Sequence, residues 1–176
     1  ISACLVGSEM CIRDRQQIAH LLSQGKKVGI YAGSGCQGAH DLLIALAGRL
    51  NAPIAHTSRA KDFVEYDNPF NMGMTGMIGI KSGFHMMKEC DTLLLLGADF
   101  AWAQFYPDKA TLIQVDRDGC HLGRRHPVDL GVVGDVIPTL EALLPLVQQR
   151  DDCSFLEACL NCLLYTSPSP RDRQKS

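Results

Sequence analysis

The sequence predicts a single α/β domain built on a doubly wound, mostly parallel Rossmann-like sheet of about five to six strands. Short apolar runs alternate with longer amphipathic stretches from Lys27 onward, which is the pattern of βαβ units. The apolar runs are continuous, as expected for strands that helices cover on both faces. The chain has 176 residues, 46% of them hydrophobic, and a net charge of −2, so it can build one domain with its own core.

The first strand is predicted at residues 27–31, and a glycine-rich turn leads from it to a helix at residues 39–50, which Asn51 and Pro53 end. Residues 57–79 form a connection too long and too polar for an ordinary βα loop, and long ordered loops are usually functional. The other elements are predicted, in chain order, as a strand at residues 53–56, a helix at 80–89, strands at 92–96, 111–115 and 128–133, and a helix that has Pro138 in its first turn and ends near Gln149.

The two ends of the chain differ in origin from its middle. A DNA string that encodes Cys162 to Asp172 has a reverse complement that encodes Leu5 to Asp14 in another frame. Such paired ends resemble a translated transposase-type sequencing-library adapter, whereas a natural disordered tail would explain only one of them. We therefore expect residues 1–15 and 161–176 to be adapter-like artefacts, the second of them disordered, and residues 16–160 to be one domain cut from a longer protein.

A glycine motif follows the first predicted strand. Gly33, Gly35 and Gly38 match G-x-G-x-x-G between a strand and a helix, where glycines let the backbone approach a diphosphate. A nicotinamide dinucleotide also needs an acid at the end of the second strand, but that strand ends at His56 and Thr57. The motif predicts a nucleotide site, and the alternative is a glycine-rich turn that binds no ligand.

Other candidate site residues also follow predicted strands or loops. Asp116 ends a strand at the edge where open α/β sheets bind ligands, so it can hold an adenosine, or equally begin a turn. Gly97 permits close backbone approach after another strand. The glycines around Met74 let the backbone pass close to a flat ligand, and the alternative is a flexible loop in which Thr75 caps the next helix.

Several classes of function are excluded by composition and pattern. The charge balance offers no extended basic surface for nucleic acid, and no apolar run is long enough to span a bilayer. The eight cysteines are irregularly spaced, which favours reduced cytoplasmic thiols over a disulfide framework. No nucleophile has a base beside it and no histidines have ligand spacing, so we expect no catalytic residue and no metal site. The domain is expected to bind a ligand without catalysing a reaction.

Five sequence blocks carry a resemblance to a known family. They are Tyr31 to His40 (YAGSGCQGAH), Val64 to Phe70 (VEYDNPF), Gly73 to Gly79 (GMTGMIG), Phe105 to Pro107 (FYP) and Ile113 to Asp116 (IQVD). Together they closely resemble the middle domain of the bacterial pyruvate dehydrogenases (quinone), or pyruvate oxidases, which are thiamine-diphosphate-dependent enzymes. The resemblance implies a six-stranded parallel Rossmann-like domain that holds FAD in an extended pose, one strand more than the apolar runs predict.

The resemblance also implies which residues bind FAD. It places Met74, Thr75, Gly76 and Met77 along the flavin, Gly97, Ala98, Asp99, Phe100 and Ala101 along the cofactor, Asp116 at the adenosine, and Gly33 with Gly35 near the ADP moiety. The intact enzyme would decarboxylate pyruvate to acetate and CO₂ with thiamine diphosphate and Mg²⁺, and pass two electrons through FAD to a membrane quinone. Thiamine diphosphate and Mg²⁺ belong to domains missing from this chain, so we expect the fragment alone to be inactive.

The same resemblance implies a cytoplasmic homotetramer, peripheral at the inner membrane when the enzyme is intact, in which this domain packs on the missing domains. Three alternatives stay open. One is the middle domain of an acetohydroxyacid synthase-like carboligase, against which the EYDNPF and GMTG blocks weigh. Another is a stand-alone NAD(P)-binding module, and the last is a structural domain that binds nothing.

Overall fold

A computed structural model describes residues 12–100 and 102–166 of the chain. Six parallel strands form one sheet in the order β3-β2-β1-β4-β5-β6, which confirms the predicted Rossmann-like class. The helices and strands, in chain order, are α1 (Ile12–Gln24), β1 (Val28–Ala32), α2 (His40–Leu50), β2 (Ile54–His56), α3 (Lys61–Val64), β3 (Asn71–Met74), α4 (Lys81–Glu89), β4 (Thr92–Leu96), β5 (Thr111–Asp116), β6 (Leu130–Val133), α5 (Val136–Leu143) and α6 (Ser154–Thr166).

The strand order creates a crevice beside the central strand. Ile30 of β1 lies in register with Ile54 of β2 on one side and with Leu94 of β4 on the other. The chain therefore proceeds outward from β1 in one direction for the first half of the sheet and in the other direction for the second half. In open α/β sheets, ligands bind at the carboxyl ends of the strands where this reversal occurs.

Two apolar cores cover the two faces of the sheet. On one face α1, α2 and α5 pack against strand residues such as Ile30, Leu94 and Ile113. On the other face α4 and α6 pack against Tyr31 and Leu93 with their neighbours. Alternate residues of the same strands enter the two cores, as the pleat of a strand requires. This arrangement explains why the strand sequences are continuous apolar runs and positions every strand end on one shared edge.

The sixth strand lies inside the segment expected to be a connection. Strand β3 is at the edge of the sheet and, within residues 12–100 and 102–166, pairs only with β2, with a register shift beside Ile54. Its sequence contains Asn71 and Gly73, and both residue types are depleted in strands. The expectation of one long loop over residues 57–79 was therefore wrong, because an edge strand needs less apolar sequence than a central one.

Smaller differences concern the helices. The last predicted helix ends at Leu143 rather than near Gln149, and a 3-10 turn over Leu144–Leu146 follows, because Pro145 has no amide with which to continue the α-helix. Helices α1 and α6 were not predicted. Residues 161–166 belong to α6, so the expected disorder of residues 161–176 does not hold for them. Residues 1–11 and 167–176 lie outside the described part of the chain.

No helix in the described ranges is long and apolar enough to cross a membrane.

Candidate functional site

The loops after β1 and β4 interlock at the carboxyl edge of the sheet. The Gly33 amide donates to the Leu96 carbonyl at 2.9 Å, and the Gly35 amide donates to the Gly97 carbonyl at 3.1 Å. A Cβ atom added at Gly35 would lie 2.7 Å from the Cα of Gly97, so neither glycine tolerates a side chain. Gly97 also has a φ of +52°, in the left-handed region.

The close approach of these two loops accounts for Gly33 and Gly35 of the glycine motif without requiring a bound ligand. The amides of Gly33 and Gly35 are occupied by strand-end carbonyls and are not free donors for a diphosphate. A 3-10 turn over Ser34–Cys36 also separates the motif from α2, which begins at His40. Contact of Gly33 and Gly35 with the ADP moiety stays a prediction, and any such contact would need other atoms of these loops.

The backbone after β4 runs close to this interlock. Ala98 and Phe100 are buried, and the ring of Phe100 packs against those of Tyr31 and Tyr106. Asp99 is half-buried and forms ion pairs with Arg125, at 3.0 Å, and with Arg124. Both partners come from the loop between β5 and β6, so Asp99 connects that loop to the end of β4. Ala101 lies outside the described residues.

The segment after β3 brings a buried hydroxyl and an exposed apolar side chain together. Thr75 is 4% exposed, and its Oγ1 has no hydrogen-bond partner among the described residues. Gly76 has a φ of +120°, and a Cβ atom there would lie 3.4 Å from the rings of Phe100 and Trp102. Met77 is 69% exposed. The GMTG block therefore contacts the loop after β4. Both segments are predicted to contact one ligand, and this requires them to lie close together.

A second unpartnered hydroxyl belongs to Thr57, which the sequence analysis did not select for the site. Its amide continues the ladder between β1 and β2 by donating to the Ala32 carbonyl at 3.0 Å. Its Oγ1 is buried and, like that of Thr75, has no partner in the part of the chain that the structure describes. Thr57 and Thr75 each directly follow one of two paired strands, β2 and β3, whose last residues His56 and Met74 are in register. The sequence signal that could have identified Thr57 is a hydroxyl-bearing residue directly after each of two strands, β2 and β3.

An apolar surface borders these hydroxyls. Its residues come from the segment between β3 and α4, from α4 itself and from the loop after β4, and we refer to it as the apolar rim. Phe84 packs edge-on against Phe105 at 5.8 Å between ring centroids, and Phe105 and Trp102 both pack on Phe100. The exposed members of the rim are Met77, Ile78, Ile80, Phe84 and Trp102. Contiguous exposed apolar residues of this kind mark ligand or protein contact surfaces.

Asp116 ends β5 and is buried. Its Oδ1 accepts a hydrogen bond from the Asp118 amide at 2.9 Å and lies 3.2 Å from Nδ1 of His121. The side chain therefore begins a turn, which was one of the two interpretations of this acid. Its predicted contact with an adenosine stays a prediction, because a carboxylate with one oxygen in a turn can still accept further hydrogen bonds.

A carboxylate that sequence spacing did not reveal, that of Glu65 directly after α3, contacts the end of β2. Nε2 of the fully buried His56 lies 3.0 Å from Oε1 of Glu65, and Lys61 Nζ lies 2.9 Å from the other oxygen, Oε2. An acid at this place is what a nicotinamide dinucleotide needs for its ribose. Both oxygens of Glu65 are already bound to cationic or imidazole groups, so the acid is present but engaged.

Metal ligands and reactive thiols are the remaining possibilities. No group of three or more His, Cys, Asp or Glu side chains within residues 12–100 and 102–166 could hold a metal ion. Cys159 and Cys162 of α6 have C-x-x-C spacing, so the expectation that the chain has no such motif was wrong. Burial raises the pKa of the Cys159 thiol to about 12, so this thiol is not a nucleophile at neutral pH.

Comparison with known proteins adds a family to this geometry. The chain is 52% identical over 147 residues to an uncharacterized 42.6 kDa protein of Pseudomonas amyloderamosa, covering 84% of the chain and 37% of that protein. It is 36% identical over 141 residues to a putative thiamine pyrophosphate-containing protein of Bacillus subtilis, covering 80% of the chain and 25% of that protein. The chain thus spans about a third or less of the length of these relatives.

Relatives with assigned activities catalyse different reactions. The large subunit of acetolactate synthase isozyme 1 from Escherichia coli is 32% identical over 81% of the chain and 26% of its own length, and the pyruvate oxidase of Lactiplantibacillus plantarum is 28% identical over 74% and 22%. Both are similar to this chain through the same region, so the likeness does not separate an oxidase from a synthase.

A solved structure and a family match agree with the observed fold. Benzoylformate decarboxylase from Polynucleobacter necessarius superposes with a TM-score of 0.66 at 25% identity, over 85% of this chain and 30% of that enzyme. Residues 15–143 match the family described as the thiamine pyrophosphate enzyme, central domain. Because that match includes both halves of the sheet and every strand end described above, the chain belongs to the family of central domains of thiamine pyrophosphate enzymes.

Proposed function

We propose that the chain is the FAD-binding central domain of a thiamine-diphosphate-dependent pyruvate oxidase, which delivers electrons to a quinone. The observation that carries the FAD proposal is the pair of buried, unpartnered hydroxyls of Thr57 and Thr75 at neighbouring strand ends. Leaving a buried hydroxyl unpaired costs free energy, and native proteins seldom do so without a functional reason. A bound ligand with hydrogen-bonding groups would remove that cost.

The residues present fit a flavin nucleotide. The apolar rim suits a flat aromatic ring, and the two hydroxyls suit its polar edge. When bound, FAD would supply the two-electron acceptor of the enzyme. The protein residues would bind and orient it: Thr75, Gly76 and Met77 along the ring, the backbone after β4 along the chain of the cofactor, and Asp116 at the adenosine.

The reaction of the intact enzyme is a proposal that goes beyond this domain. Thiamine diphosphate and Mg²⁺ would be held by other domains, in a homotetramer whose quinone acceptor brings it to the inner membrane. The EYDNPF and GMTG blocks support the oxidase. The second candidate is the central domain of an acetolactate synthase-like carboligase, and the E. coli relative supports it.

The FAD proposal is tested by titrating the chain with FAD while following flavin fluorescence and thermal unfolding. Saturable binding should raise the melting temperature by ligand linkage. Thr75→Val should weaken binding about fivefold, because a hydrogen bond to a ligand contributes about 1 kcal/mol. Thr92→Val is the matched control. Thr92 is a similarly buried threonine, but it is the first residue of β4 and so lies at the amino ends of the strands, opposite the candidate site.

Binding of NAD(P)H without FAD would overturn the FAD proposal. The rival nicotinamide module is disfavoured because both oxygens of Glu65, the acid that could hold its ribose, are engaged. If neither nucleotide binds to a folded chain, the domain is structural and the FAD proposal fails.

The oxidase and the synthase are distinguished in the full-length enzyme that carries this domain. With pyruvate and an excess of quinone, an oxidase forms acetate and reduced quinone in equal amounts. A synthase forms acetolactate, with no change in the quinone absorbance. Acetolactate as the main product would replace the oxidase with the second candidate.

A further inference from the structure

Residues 97–100, directly after β4, are referred to as the run. Hydrogen bonds that its carbonyl oxygens accept hold its backbone in place. Three of its four carbonyls accept hydrogen bonds from elsewhere in the protein, and two of the donors are buried side chains. The donors and distances are the Gly35 amide to Gly97 O at 3.1 Å, Gln114 Nε2 to Ala98 O at 3.4 Å, and the Tyr106 hydroxyl to Phe100 O at 3.1 Å.

Gln114 is placed to brace two loops at once. Its side chain, on β5, is buried and uses both ends of its amide. Besides Ala98 O, its Nε2 donates to His121 O at 3.2 Å, and its Oε1 accepts from the Gly123 amide at 2.9 Å. A buried primary amide with bonds at both ends is costly to misplace, so it fixes the loop after β4 relative to the loop after β5.

Tyr106 braces the other end of the same run. Its carbonyl accepts from Lys88 Nζ at 2.8 Å, and its ring stacks on that of His126 at 4.8 Å between centroids. The hydroxyl that donates to Phe100 O is therefore anchored from both α4 and the loop before β6. Burial raises the pKa of Tyr106 to about 12, so this hydroxyl keeps its proton, and with it the donated bond, at neutral pH.

The amides of the run show what this bracing leaves available. Gly97 N donates to Val115 O at 2.8 Å, whereas the N–H groups of Ala98, Asp99 and Phe100 have no hydrogen-bond partner within residues 12–100 and 102–166. We infer that Gln114 and Tyr106 are positioning residues, which hold the carbonyls of residues 97–100 so that the amides stay available to an acceptor-rich ligand. This inference rests on the proposed function for the identity of that ligand as FAD.

The first test measures FAD affinity in the full 176-residue chain. Tyr106→Phe removes one hydrogen bond and should raise the dissociation constant about fivefold. Gln114→Leu removes three hydrogen bonds and should raise it by at least as much. Tyr66→Phe is the control: it is the same change in a tyrosine on another loop, where its ring stacks on His40. Its affinity for FAD should equal that of the wild type.

The second test needs no ligand. If the brace holds the run, both variants should speed hydrogen exchange at the Gly35 amide, whose acceptor is the Gly97 carbonyl in that run. Tyr66→Phe should leave this exchange unchanged. Unchanged Gly35 exchange in both Tyr106→Phe and Gln114→Leu would overturn the inference whether or not FAD binds.

The two tests separate this inference from the proposed function. If the wild type does not bind FAD but both variants speed exchange at Gly35, the brace stands and the FAD assignment fails. If the wild type binds FAD and both variants bind it as tightly, the positioning role is wrong while the proposed function survives. Wild-type thermal stability in Tyr106→Phe with weaker FAD binding would exclude a merely structural effect.

Discussion

Asp99 supports the candidate site indirectly, by pairing with two arginines of a neighbouring loop. The resemblance placed it along the cofactor, yet its carboxylate is paired with Arg124 and Arg125. Burial acts to raise the pKa of this carboxyl, but the hydrogen bonds from the two arginines outweigh it, and the pKa of Asp99 lies below its ordinary value. The charge of Asp99 is therefore used inside the protein, where it connects the loop after β4 to the loop after β5.

This pairing predicts a pH-dependent contribution to stability. Because the folded-state pKa is lowered, Asp99 stabilises the fold above the unfolded-chain value of about 4, and this contribution is lost as pH falls through the lower folded-state value. The arginines are more than a third exposed, so the effect should be under about 1 kcal/mol. Thermal unfolding at low salt should show that Asp99→Asn lowers the melting temperature at pH 6 and that its difference from wild type vanishes near the acid limit of the scan.

Asp108→Asn is the control for this prediction. Asp108 also pairs with one cation, Lys88, but its side chain is 87% exposed. The Asp108→Asn substitution should change the melting temperature little at any pH. An Asp99→Asn deficit that is equally large at pH 6 and in acid would show that the lost contribution is packing and not charge.

At the scale of elements, the strands were predictable where burial demands apolar sequence. Strand β4 is entirely buried, and its run of Leu93 to Leu96 allows no other interpretation. Strand β3 at the sheet edge needs no such run, so Asn71 and Gly73 concealed it. Helix α1 was missed because its first turn, Ile12 to Arg15, lies in the segment that was expected to be an artefact.

The site was predictable only as far as topology determines it. Parallel strands bring their carboxyl ends to one edge, so the loops of Gly33, Thr75 and Gly97 had to meet. The use of the Gly33 and Gly35 amides by neighbouring carbonyls depends on how closely two loops approach, and sequence spacing contains no such distance. The unpartnered hydroxyl of Thr57 is visible only after every other hydrogen bond in the described residues has been assigned.

The interlock of the loops after β1 and β4 predicts opposite effects for two glycine substitutions. Gly97→Ala places a Cβ 2.5 Å from the Cα of Gly35 at a φ of +52°, and should destabilise the protein by about 3 kcal/mol. Gly48→Ala lies within α2, where its Cβ would meet Phe70 Cζ at an ordinary 3.6 Å. Alanine should therefore stabilise that helix by about 0.5–1 kcal/mol.

Urea unfolding at 25 °C measures both free energies of unfolding against wild type. Because the two substitutions add the same methyl group, any difference in sign comes from the backbone and its neighbours. A Gly97→Ala variant as stable as wild type would mean that the two loops do not touch in solution.

At the scale of the whole molecule, Arg150, which follows α5 in the sequence, holds the carboxyl ends of α1 and α2 together. The Arg150 guanidinium donates to the carbonyls of Leu22, at 2.8 Å, and of Gly25, at the end of α1. Its amide donates to the Arg49 carbonyl at 2.8 Å, and its own carbonyl accepts from Asn51 at the end of α2. A cation among the last carbonyls of a helix also stabilises the helix dipole. Arg150 thereby joins the chain after α5 to the ends of α1 and α2.

Arg150→Met should therefore loosen α1 from the rest of the domain. Methionine keeps most of the length of the side chain but donates no hydrogen bond, and the loss of charged hydrogen bonds to half-buried carbonyls should cost about 1–2 kcal/mol. Arg117→Met is the control, because Arg117 is an exposed arginine directly after β5. Native-state hydrogen exchange should show the largest loss of protection in α1, with the sheet little changed. If Arg150→Met unfolds at the same urea concentration as Arg117→Met, the ends of α1 and α2 are held by apolar packing on α5 alone.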